Sequence, residues 1–118
     1  MTDERRRHER FELLARIDLR HSSATETCVT INISAGGVLL RNDRNFAVAM
    51  GDRVRIGIDA PELAPAFTID AIIVRAVEAT TKPGLIGAMW ASSDAAASAA
   101  LNQVLWNLRK LRAARADG

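Results

Sequence analysis

Four arginines fall within six positions in the stretch "RRRHER", residues 5–10. Arg6 and Arg10 are four apart, a spacing that sets both on one side whether the segment is extended or helical. If extended, they stand about 13 Å apart. A guanidinium is a planar fork that pairs with phosphate, bonds the O6 and N7 edge of guanine, or stacks flat on a base. Taken alone, the stretch is a solvated basic tail, a nucleic-acid patch, or one half of a site.

A second stretch, "NISAGG" at residues 32–37, offers the complementary chemistry. Asn32 and Ser34 are two apart on strand-like backbone and so share a face. Both are short side chains with neutral donors and acceptors suited to base edges. Gly36 and Gly37 either supply a turn with positive φ or let a ligand approach the main chain. The competing reading is a polar turn between two strands.

Length and composition limit what surrounds these residues. At 118 residues the chain is long enough for a single domain with one modest core. Apolar residues make up 48% and charged residues 25%, the balance of a globular rather than a disordered chain. Sixteen Lys and Arg against fourteen Asp and Glu leave a net charge of +2, too small for a dedicated nucleic-acid binder. Fourteen of the sixteen cations are Arg, which suits phosphates and base edges, although a GC-rich genome gives the same bias. The single Cys28 excludes an internal disulfide, and His8 and His21 lack partners at ligand spacing, so no metal site is expected. The N-terminus has no apolar core of a secretory signal, and no run reaches the roughly 20 apolar residues of a membrane span. The cytoplasm is therefore the expected location. No Walker loop, H-E-x-x-H or dinucleotide fingerprint occurs, and "NISAG" lacks the first glycine of a nucleophile elbow. No enzyme is expected.

The elements that would position the two stretches are mostly strands. Leu13, Ala15, Ile17 and Leu19 alternate with Glu12, Leu14, Arg16, Asp18 and Arg20. Thr27, Val29, Ile31 and Ile33 alternate with Cys28, Thr30 and Asn32, which predicts a strand with Asn32 and Ser34 outward. "VLLR" forms a third strand, "RVRIGID" a fourth with Val54, Ile56 and Ile58 inward, "FTIDAIIVRAV" a fifth and "LIGAMWA" a sixth. Six short strands at this spacing predict a small sandwich or barrel. From about residue 93 the period becomes helical. Ser92 or Ser93 caps, Asp94 suits the positive end, and Leu101, Val104, Leu105, Leu108 and Leu111 form one apolar stripe. Trp106 falls nearly opposite that stripe. It either lies flat over the helix or under a loop, or it is an interface contact for a second copy or a partner.

The order of these features resembles the PilZ domain family, bacterial receptors for cyclic di-GMP. "RRRHER", "INISAGGVLL", "VAMGDRVRIGI" and "IGAMW" before a terminal helix look like the family's successive elements. The resemblance implies a mainly β fold, a six-stranded antiparallel barrel with a C-terminal helix. Residues 1–10 are then a flexible arginine-rich arm and 11–118 the barrel with its helix. It further implies that Arg6 and Arg10 grip guanine and phosphate, that Asn32, Ser34 and Gly37 form the floor, and that Arg5 and Arg7 assist. Asn32 stands where many members carry Asp, and the family pattern permits either. Where some members place a Trp over a guanine this chain reads "IIVRAVE", with Arg75 either stacking in its place or pointing to solvent.

The implied function is a second-messenger receptor, with cyclic di-GMP as ligand and no cofactor. Lacking an output domain of its own, it would relay the signal to an effector protein, as a monomer or weak dimer, without nucleic-acid or membrane binding. The alternative is a PilZ-like interaction module that binds no nucleotide.

Overall fold

The computed structural model describes residues 9–13 and 15–117. Seven strands precede one helix: β1 (Phe11–Glu12), β2 (Arg16–His21), β3 (Ala24–Ile33), β4 (Gly37–Arg41), β5 (Arg53–Ile58), β6 (Phe67–Val77), β7 (Leu85–Trp90) and α1 (Ala95–Asp117). All pairings are antiparallel. The strands β3, β2, β5, β6, β7 and β4 follow one another, and β4 returns to pair with β3. The ring closes, giving the expected six-stranded barrel, and β1 is an extra strand beside the end of β3.

The stretch expected to run unbroken from residue 12 to residue 20 is interrupted. Three residues separate Glu12 from Arg16, but only two separate their partners Asn32 and Val29. Buried Thr30 fills the break. Its hydroxyl donates to the Leu13 carbonyl and accepts the Ala15 amide at 3.1 Å, while its own amide donates to the Ala15 carbonyl. Backbone groups left without a ladder partner are thereby satisfied from the opposite strand.

The inside-outside order of β3 also differs from the alternation expected of it. Cys28 and Thr30 are buried and Val29 is 40% exposed, yet Ile33 is buried as expected. The register shifts between Thr30 and Asn32, so Ile31 is the additional residue of a β-bulge. One inserted residue inverts a period of two. Even-numbered positions face in before the bulge and odd-numbered positions after it. Burial also pushes the Cys28 thiol up to about 11, with the carboxylates of Glu26, Asp18 and Asp43 adding to the effect.

The barrel is filled by alternate residues of its strands, with Leu19, Leu40, Ile56 and Ile86 fully enclosed. Helix α1 covers one end, next to β6 and β1. Asp94, not Ser92 or Ser93, is the N-cap: its Oδ1 accepts the Ala96 amide at 2.9 Å, and Ser92 Oγ instead accepts the amide of Asp94. Leu101, Val104, Leu105 and Leu108 enter the core, whereas Leu111 is 46% exposed because the helix has by then run past the barrel wall.

Candidate ligand-binding face

The β3–β4 turn is built from the polar atoms of Ser34. Its amide donates to the Gly37 carbonyl at 2.8 Å, and its Oγ accepts the amides of Gly36 at 3.1 Å and Gly37 at 3.3 Å. Strand β7 pins the turn from the other side. Trp90 Nε1 donates to the Ser34 carbonyl at 2.9 Å, and the Trp90 amide donates to the Gly36 carbonyl. Ser34 is therefore buried, not outward beside Asn32, and its hydroxyl is engaged by the turn.

Neither turn glycine has positive φ; among the described residues the glycine in that region is Gly51. The need at Gly37 is space. A Cβ there would lie 2.2 Å from the Ala88 carbonyl oxygen, so β4 and β7 approach more closely than any side chain allows.

Asn32, half-buried on the outer side after the bulge, begins a row that crosses four strands. It pairs with Leu39 on β4, Leu39 with Gly87 on β7, and Gly87 with Arg75 on β6. Three strand spacings separate the ends of the row by about 14 Å. A Cβ on Gly87 would sit 3.1 Å from Arg75 Cβ and 3.8 Å from Val74 Cγ2, so these two side chains roof the glycine. A second bulge, at Val74, sets Arg75 opposite Gly87. The next row runs Gly37, Met89, Ile72, Arg53. Of the large apolar side chains left exposed, Val29, Val74, Val77 and Met89 all lie on these strands. The face thus has an apolar centre, an amide at one edge and guanidinium groups at the other.

Strand β1 carries Arg10, the residue just before it, to the edge of this face. Its register pairs Phe11 with Ile33 and Glu12 with Asn32, so one further step brings exposed Arg10 beside Ser34. Arg5, Arg6 and Arg7 lie outside the described residues. The root of the segment is held by α1. Glu9 bonds Arg109 at 3.3 Å and also Arg112, Arg112 donates to the Arg10 carbonyl, and the Arg112 guanidinium lies 4.2 Å from the centre of the Phe11 ring. Sequence reasoning gave Glu9, Arg109 and Arg112 no part in the site. No spacing rule links positions a hundred residues apart, and helix-end arginines are accounted for by the dipole alone.

Trp106 is 57% exposed on the side of α1 away from the barrel. No group of three or more His, Cys, Asp or Glu residues could hold a metal among the described residues, and no helix is long and apolar enough to cross a membrane.

A closed six-stranded barrel with a pinned polar turn, a mixed apolar and polar face beside it and a C-terminal helix over one end defines a class of small β-barrel. The family model described as "PilZ domain" matches residues 4–105, and the chain belongs to that family. Among solved structures it is similar to the PilZ domain with c-di-GMP of YcgR from Escherichia coli, at 15% identity and TM-score 0.73, covering 97% of this chain and 98% of that one. The complex of YcgR with c-di-GMP gives 16% identity and TM-score 0.76, covering 96% and 50%. The Bacillus subtilis inhibitor of motility (MotI/DgrA) gives 19% identity and TM-score 0.71, covering 93% and 53%. The chain spans about half the length of these last two proteins. No curated protein matches it.

Proposed function

We propose that this chain is a receptor for cyclic di-GMP that passes the signal to a partner protein. The observation that carries the reading is the pairing of β1, which Arg10 directly precedes, with Asn32 and Ile33, at the edge of a face running from Asn32 across an apolar floor to Arg75. The ligand has two guanines and two phosphates. Apolar side chains receive the flat bases, the Asn32 amide meets a base edge, and Arg6, Arg10 and Arg75 supply forks for phosphate, for guanine O6 and N7, or for stacking. Arg5 and Arg7 add positive charge to the arm. Ser34 and Gly37 act as the frame that holds the floor at the right height. The solved relatives include c-di-GMP complexes of YcgR and of K. pneumonia MrkH, which supports the choice of ligand.

One observation favours the alternative, an interaction module without nucleotide. The turn consumes Ser34 Oγ, and Ala88 explains Gly37, so both residues would be required without any ligand. Among the described residues, Arg10 is exposed and meets Arg112 through its carbonyl oxygen, which supports a role for its side chain outside the fold. Calorimetric titration with cyclic di-GMP, beside an Arg6→Ala/Arg10→Ala control, is the test. Saturable heat that the control loses supports the receptor. A folded protein giving no heat establishes the interaction module.

A further inference from the structure

Glu9 stands inside the Arg6-x-x-x-Arg10 spacing, and it is the residue that Arg109 and Arg112 of α1 hold. Arg112 makes three contacts with consecutive residues: the Glu9 carboxylate, the Arg10 carbonyl oxygen and the Phe11 ring. Two of these take the side chains of alternate residues, Glu9 and Phe11, and the third takes the Arg10 carbonyl oxygen, which leaves the Arg10 side chain out of the clasp. Phe11 is buried. Helix α1 is itself seated in the core through Leu101, Val104, Leu105 and Leu108, so the clasp ties the segment to a rigid body.

From this geometry we infer that Arg112 is a positioning residue: it fixes the chain at 9–11 so that Arg10 is presented to the Asn32 face, and it couples occupancy of that face to the end of α1. The inference rests on the receptor reading above. An arm whose root is already ordered loses less freedom when a ligand engages it, so the clasp strengthens binding. Coupling is reciprocal, and the ligand must strengthen the clasp by the same factor by which the clasp strengthens the ligand. A residue that merely stabilised the fold would show no such matched pair of effects.

The test uses the full chain with cyclic di-GMP as probe, comparing wild type, Arg112→Ala and Glu9→Gln by calorimetry and by amide exchange across α1. Arg112→Ala should weaken binding between about 5- and 150-fold, the usual range of coupling between sites. In the wild type, ligand should slow exchange in the last turns of α1, and that slowing should vanish in Arg112→Ala. Glu9→Gln, which leaves Arg112 on Phe11, should move both readouts the same way and decides the case if Arg112→Ala fails to fold. Equal affinity in both variants and wild type overturns the inference, and so does tighter binding, which would make the clasp a competitor. Wild type that binds no cyclic di-GMP instead removes the receptor reading, and the inference with it.

Discussion

The indole Nε1 of Trp90 and the carbonyl oxygen of Ser34 are 2.9 Å apart, so the last strand of the barrel holds the turn between β3 and β4 by a side chain. Trp90 is half-buried with its ring against the core. The bond places the "NISAGG" turn relative to β7, and with it the near edge of the candidate face. Trp90→Phe keeps most of the packing and removes the donor. It should cost about 1–2 kcal/mol, the usual loss for a hydrogen bond with one partner left unsatisfied, measured by urea denaturation. Amide exchange at Gly36 and Gly37 should rise more than elsewhere in the barrel.

Gly37→Ala tests the close approach of β4 and β7. The new Cβ meets a backbone oxygen that no rotamer change can move. Overpacking of this kind costs about 1–3 kcal/mol, read as a lower denaturation midpoint with an unchanged m-value. A variant as stable as wild type would show that the two strands separate freely.

Thr30→Val preserves shape while removing the hydroxyl that bridges Leu13 and Ala15. Destabilisation of about 1–3 kcal/mol is expected, because a buried carbonyl and amide lose their partner. Chemical denaturation measures it.

Arg10→Ala should lower affinity for cyclic di-GMP by about tenfold to a hundredfold, the loss of one charge-assisted contact worth roughly 1.5–3 kcal/mol. Its melting temperature should stay at the wild-type value, since the side chain is exposed and the clasp uses only its backbone carbonyl. Arg75→Ala should behave alike with a smaller loss. Trp106→Ala, on the opposite side of α1, should change neither the affinity nor the melt.

Cys28 gives a prediction about pH. With its thiol pushed up to about 11 and its side chain inside the barrel, almost none is thiolate at pH 8. Iodoacetamide should leave the native protein unmodified at that pH and label it promptly in denaturant.

The sequence pattern located the six barrel strands and the helix because each depends on local periodicity and local residue type, but it ran β1 into β2. What it missed came from register. Val29 reads as an inward β-branched residue, yet the bulge at Ile31 turns it to solvent, and a single added residue leaves no mark in composition. Ser34 reads as an outward ligand group, yet its hydroxyl closes the turn, because a Ser two residues before a glycine suits either task equally well. Arg75 was already a candidate in the sequence, but its place in one row with Asn32 comes from the pairings of β4 and β7, which no local pattern contains. The clasp of Glu9 by Arg109 and Arg112 joins the two ends of the chain, where only the folded topology sets the distance.

Closure of the barrel bears on how such a face can exist at all. Val29, Val74, Val77 and Met89 are apolar strand side chains open to solvent, a pattern that in an open sheet invites strands of other molecules to add on. Here each of the six barrel strands has neighbours on both sides, and among the described strands only the two-residue β1 has a free edge. The fold can therefore leave apolar side chains uncovered on its wall while offering other molecules little strand edge to pair with, and connectivity supplies that protection.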